Sequence, residues 1–158
     1  MPATPSAVQS DVERHLIAAA FVDPAWLTAA KRDIPLDSFC EPKHQIIWRS
    51  IRDCVADGSI ADELTLQADL TRSNLLEQAG GMAYINPLGS LLIGPTPAVY
   101  RWQEQLADFA RRASLARGIE LAQSKAASGA FTPEEIAAEL QTLAAAATAT
   151  ARKKGDTG

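Results

Sequence analysis

Through the first hundred positions apolar residues recur every three or four places, and each run is preceded by residues that start helices. Ser10-Asp11-Val12-Glu13 has the spacing of a capping box, in which the serine oxygen accepts from the Glu13 N–H and the glutamate reaches back. Val12, Leu16, Ala19 and Ala20 follow as the apolar side of a first predicted helix. Asp23-Pro24 starts a second, with aspartate as N-cap and proline at the first helical position; Trp26, Leu27 and Ala30 face inward and Ile34-Pro35 ends it. Pro42 opens a third, carrying Ile46, Ile47, Trp48, Ile51 and Val55 to a stop at Gly58. Asp62-Glu63-Leu64-Thr65-Leu66 opens a fourth, continued by Leu70. A turn at Leu75-Leu76-Glu77 is broken by Gly80-Gly81, and a short helical piece over 82–92 is interrupted near Pro87 and Gly89.

Gly94-Pro95-Thr96-Pro97 is the strongest breaker in the chain, and the pattern changes behind it. Trp102, Leu106, Phe109, Ala113 and Ala116 recur at spacings of four and three, the seam of one long helix packed along another. That helix ends near Ser128-Gly129. Thr132-Pro133-Glu134-Glu135 is a second capping box, and Ile136, Leu140, Leu143 and Ala147 repeat the same spacing. Two seamed helices joined by so short a connection fold back as an antiparallel hairpin. No stretch alternates as a strand does, so the predicted fold is all-α. It comprises a disordered N-terminal arm at 1–9, a helical globular head at 10–96, a long helical hairpin at 97–148 and a linker or tail at 149–158 that carries Arg152, Lys153 and Lys154.

Composition narrows the function. Of 158 residues 47% are apolar and 22% charged, ordinary globular usage, and the 30 alanines suit helices. Fifteen Lys and Arg against 19 Asp and Glu leave a net charge of −4, which argues against a general phosphate-neutralising surface. No apolar run reaches the length of a membrane span, and the N-terminus lacks the pattern of a secretion signal, so a cytoplasmic location is expected. Cys40 and Cys54 stand alone, without the paired spacing of a zinc site or a disulfide framework.

Candidate chemistry is sparse. Glu41-x-x-His44 has the spacing of a di-metal carboxylate bundle, but no second copy exists and Pro42 marks a helix start; His44 is expected to pack or cap the helix. His15 has no nucleophile motif to serve and is expected on the solvent side. Neither GxGxxG nor GxxxxGK[ST] occurs, so no residue is expected to cradle phosphate. Arg101, Arg111, Arg112 and Arg117 interleave with Glu104, Asp108 and Glu120, as on a solvated, ion-paired helix face. No catalytic, cofactor or metal residue is assigned. A small head with an exposed hairpin suits an assembly or docking module, its interface drawn from Trp102, Leu106, Phe109, Ala113, Ile136, Leu140 and Leu143.

Several of these segments, in this order, resemble the N-terminal domain of the bacterial replicative DNA helicase of the DnaB type. The likeness begins at Val12-Glu13-Arg14-His15-Leu16 and Phe21-Val22-Asp23-Pro24. It continues through the Phe39, Pro42, His44 and Ile46 pattern and through Asp62, Thr65 and Leu66. Leu75-Leu76-Glu77-Gln78-Ala79-Gly80-Gly81-Met82-Ala83-Tyr84-Ile85 carries it furthest. It spans about residues 10–147. Departures are Glu41 in place of the family's usual aspartate, Ala18-Ala19-Ala20 in place of a glycine-containing start, and no asparagine before Tyr100. The resemblance implies a non-catalytic collar that pairs through its hairpin, as a dimer and as a trimer of dimers, and that docks primase or a helicase loader. It also implies that ATP and Mg belong to a motor domain outside this sequence. Two alternatives are a free-standing phage or plasmid regulator that pairs with a host helicase collar, and an enzyme resting on Glu41, His44 and His15.

Overall fold

A computed structural model describes residues 6–155, apart from the side chains of residues 32, 33 and 150–155. Among the described residues there are seven α-helices and no strand. They are α1 (Ala7–Val22), α2 (Pro24–Asp33), α3 (Pro42–Ala56), α4 (Glu63–Arg72), α5 (Met82–Gly89), α6 (Ala98–Ser128) and α7 (Pro133–Gly155), with a 3-10 turn at Leu36–Ser38 before α3. The chain divides into two compact units, Met1–Phe109 and Ala110–Gly158, and the division falls inside α6, whereas the Gly94-Pro95-Thr96-Pro97 breaker placed the expected boundary between 96 and 97. Residues 1–5 of the expected arm and the side chains of Arg152, Lys153 and Lys154 lie outside the described residues.

Most helix starts follow from their caps. Asp23 accepts from the Trp26 N–H at 3.0 Å and Asp62 from the Thr65 N–H at 2.7 Å, each satisfying an otherwise orphaned donor of the first turn. Thr132 and Glu135 form the expected reciprocal box, at 2.8 and 3.2 Å. The first helix differs. It starts at Ala7, capped by Ser6, whose oxygen accepts from the Gln9 N–H at 3.1 Å. Ser10 and Glu13 therefore lie inside α1, free to use their side chains elsewhere, and residues 6–9 belong to this cap and helix rather than to an arm. The expected helix over 82–92 is shorter, ending at Gly89 two residues past Pro87, and α7 continues beyond 148 to Gly155.

In the first unit α1 packs on α2, α3 and α5, and α3 packs on α4. Trp48, Phe39, Leu16, Ile17, Ile47, Ile51, Leu66, Leu70 and Ile85 are fully buried there. The Trp48 ring lies 5.2 Å from Phe39 and 6.2 Å from Trp26, tilted against both, and its Nε1 donates to the Ile34 carbonyl at 3.4 Å. The N-terminal part of α6 completes this core through buried Val99 and Leu106.

The second unit is the remainder of α6 and α7. They come close at Gly118: a β-carbon there would stand 2.5 Å from Leu143 Cδ2 and 2.7 Å from Cδ1. An ion pair between Lys125 and Glu139 ties the two helices further along. Among the described residues of this unit the buried apolar side chain is Ala122.

Trp48→Ala empties the centre of the first unit. It is expected to cost about 3–5 kcal/mol of unfolding free energy, read as a lower urea midpoint by tryptophan-independent circular dichroism.

Candidate functional site

The most deeply buried polar side chains described in the first unit, Glu13 and His44, belong to a network that starts on the apolar face of α1. Glu13 sits between Val12 and Leu16 and is completely buried. Its Oε1 accepts from the Cys40 N–H, and its Oε2 lies 3.4 Å from the Glu41 N–H and 2.6 Å from His44 Nδ1. The carboxylate thus closes the N-terminus of α3, where the helix dipole favours negative charge. Glu41, the residue at the cap position, makes no capping bond itself. His44 is also fully buried, and its Nε2 lies 2.6 Å from the Tyr84 hydroxyl on α5. A carboxylate only accepts, so His44 Nδ1 donates to Glu13 Oε2, while Nε2 and the Tyr84 hydroxyl share the second hydrogen bond.

Around this chain stand Ser10, which donates to Glu41, and Lys43, whose Nζ lies 3.5 Å from Glu41 Oε2 and 3.9 Å above the Tyr84 ring. Burial works against the Glu41 charge, but the Ser10 hydroxyl, then His44 and Lys43, outweigh it and hold its carboxyl below the usual range. Burial, with the Glu41 charge next, pushes the Tyr84 hydroxyl up to about 12, although Arg14 works the other way. Gly80 and Gly81, both at positive φ, lead into α5; a β-carbon on Gly80 would stand 2.8 Å from Tyr84 Cβ, so the turn that delivers Tyr84 needs glycine twice over.

The remaining motif residues have structural places. Phe39 and Leu66 are core, Pro42 is the first residue of α3, and Asp62 caps α4 through Thr65. Both nitrogens of His44 are engaged by Glu13 and Tyr84, with Glu41 Oε2 3.9 Å from Nε2. His15, expected in solvent, is half-buried: its ring lies 4.9 Å from that of Trp102, and its Nδ1 donates to the Asp11 carbonyl at 2.7 Å. Burial, then Asp69, raises the Cys54 thiol, which favours its protonated form. Glu13 was missed as a buried group because Ser10-x-x-Glu13 mimics a capping box. The signal that identifies it is its register: positions 13, 16, 17 and 20 share one helix face, and three of them are apolar.

The seven seam residues fall in two environments. Leu106 is 1% exposed inside the first unit, where Trp102 and Phe109 pack against the same core. Trp26 Nε1 donates to Gln103 there at 3.3 Å. Ala113, Ile136 and Leu143 are half-buried in the second unit, and Leu140 is 42% exposed. Beside them stand Ile119 and Leu121, which the seam did not include, at 48% and 55% exposed, and Phe131 under the Lys125 ammonium at 4.9 Å. Gly118, Leu121, Ala122, Leu140, Leu143 and Ala146 line a shallow apolar depression between the two helices. On the first unit Ile60, Leu64 and Ile93 are the most exposed large apolar side chains. Among the described residues no helix is long and apolar enough to cross a membrane.

Over residues 6–100 the chain matches the family described as DnaB-like helicase N terminal domain. The replicative DNA helicase DnaB of Geobacillus stearothermophilus is 29% identical over 126 residues, covering 80% of this chain and 27% of that protein. The replicative DNA helicase DnaC of Bacillus subtilis (strain 168) is 25% identical over 126 residues with the same coverage. The chain thus spans about a quarter of the length of these relatives, 27% in both. The crystal structure of the N-terminal domain of DnaB helicase from Mycobacterium tuberculosis shares the fold, with a TM-score of 0.78 at 21% identity over 92% of this chain and 99% of that one.

Removing the Glu13 carboxylate leaves the Cys40 N–H, the Glu41 N–H and the His44 Nδ1 donor without their buried acceptor, so Glu13→Ala is expected to cost at least about 1–3 kcal/mol of stability in urea titration. Tyr84→Phe keeps the shape but leaves His44 Nε2 unpaired, at about 1–3 kcal/mol. Because the folded state holds the Tyr84 proton more tightly than the unfolded chain, that advantage over Tyr84→Phe is full below pH 10.0 and declines as pH rises towards about 12. Paired urea titrations of both proteins across this range should converge.

Proposed function

Because the chain belongs to the family of DnaB-like helicase N-terminal domains, we propose that it is the non-catalytic collar of a replicative DNA helicase. On this reading it self-associates through the hairpin, as a dimer and as a trimer of dimers, and offers its head to primase or a helicase loader in the cytoplasm. It works without a cofactor of its own, since ATP and Mg serve the motor. The observation that carries the proposal is the set of apolar side chains left exposed on the second unit: Ile119, Leu121, Phe131 and Leu140. Two helices alone cannot enclose such side chains, of which Leu121 and Leu140 border one depression, and exposed apolar patches mark contact surfaces. Exposed Ile60, Leu64 and Ile93 on the first unit supply apolar anchors for a docking protein.

The burial pattern selects the lesion. A charge at Leu106 would unfold the first unit and prove nothing about pairing, because that side chain is 1% exposed. Leu140→Glu puts the charge on the exposed face instead. Light scattering on a sizing column is expected to show a dimer growing to higher species with concentration. Leu140→Glu should weaken pairing by at least about a hundredfold, since a two-fold interface carries the lesion twice. A wild-type chain that stays monomeric yet exchanges into an intact replicative helicase would transfer the function to the regulator alternative.

A further inference from the structure

We infer that the solvent face of α4, with the connection that leads into it, docks a basic amphipathic helix of another protein. The inference rests on the docking role proposed above for the head, and adds which surface is used and the chemistry of what it takes.

The first observation is the character of the α4 surface. Leu66 and Leu70 turn one side of this helix into the core. A surface helix ordinarily carries charge on the opposite side. Here the exposed positions 64, 67, 68 and 71 hold Leu, Gln, Ala and Thr, with no charge until Arg72. These five residues line a shallow groove along the helix. Ile60 and Leu64 are each 74% exposed. Ile60 is fixed in place, because Ala61 beside it is buried and Asp62 caps α4 through the Thr65 N–H. Leu64 and Ala68 stand one helical turn apart, the spacing at which a helix laid in a groove sets its own anchors.

Charge selects the occupant. From Asp53 to Tyr100 the chain holds six acidic residues and one basic residue, Arg72, whose guanidinium donates to Asp69. Asp57, Asp62 and Glu63 stand within three positions of Ile60, while Arg49 and Arg52 lie further back on α3. A second copy set face to face on this surface would bring like charges together. Nucleic acid and an anionic bilayer would be repelled for the same reason. A helix with apolar anchors flanked by lysine or arginine satisfies both the groove and its acidic rim.

The test is an amide NMR titration of the full chain with a synthetic leucine–lysine amphipathic peptide, with light scattering on the same samples. Shifts are expected on residues 57–72. Leu64 is exposed, so Leu64→Gln keeps the fold and should weaken binding at least about tenfold. Asp57→Asn combined with Glu63→Gln should weaken binding and flatten its salt dependence. The same peptide with glutamate for lysine should not bind. Absence of shifts, shifts confined to other surfaces, or shifts unmoved by Leu64→Gln would overturn the inference. Shifts at 57–72 on concentrating the chain alone would also overturn it, making a second copy the occupant. A chain that self-associates yet ignores the peptide overturns this surface and leaves the collar reading standing. A monomeric chain that binds the peptide at 57–72 sustains this surface and overturns self-association.

Discussion

A carboxylate has been taken out of water on the inward face of α1, and the first unit is arranged around satisfying it. Moving an ion of this size into a protein interior costs several kcal/mol even after relaxation. Glu13 meets that cost with the Cys40 and Glu41 backbone donors, a buried imidazole at 2.6 Å and the positive end of α3. Each donor comes from a segment far along the chain. The pair is worth little as net stability against an apolar substitute, but its geometry admits one arrangement. α1 must present position 13 to the start of α3, and α3 must present His44 to α5. A carboxylate, an imidazole and a phenol in series thereby fix three helices relative to one another.

Residues around the chain serve the same end. Tyr84 can reach His44 because two glycines at positive φ turn the backbone into α5 and leave no β-carbon against the tyrosine. Burial keeps the Tyr84 hydroxyl protonated, so its hydrogen bond with His44 Nε2 is held by a neutral phenol. Glu41, unable to cap α3 itself, is held by Ser10 from α1 and so binds the two helices a second time. Among the described residues of the second unit, the buried side chain is Ala122. Helix propensity and the spacing of small residues specify this unit, and these determine that helices form more firmly than which surface lies against which.

Helix existence was legible because its causes are local. Asp23-Pro24, Asp62 with Thr65, and Thr132 with Glu135 carry their caps within four residues, and all three act as written. The failure at Ser10 has the same origin. A capping box and two helix-interior side chains look identical over four residues, and Ser6, four positions before Ser10, takes the cap instead. Glu13 finds partners 27 to 31 positions away, which no local spacing encodes. Family likeness marked His44, Gly80, Gly81 and Tyr84 as positions of interest; that they form one hydrogen-bonded and sterically coupled set is a property of the fold.

The seam along α6 shows the limit of periodicity in another way. Trp102, Leu106 and Phe109 continue into Ala113 at unbroken spacing, yet the first three close the head while the fourth lies in the second unit. A 3.6-residue repeat states that one helix face is apolar and says nothing about what covers it. Two covers along one stripe therefore read as one. Side-chain size carries the missing information: tryptophan, leucine and phenylalanine need a deep core to fill, whereas alanine and Gly118 allow a helix to lie close, as Leu143 does. The change from large to small residues along α6 coincides with the division between the units at 109 and 110. Size along the stripe, more than its period, places that boundary.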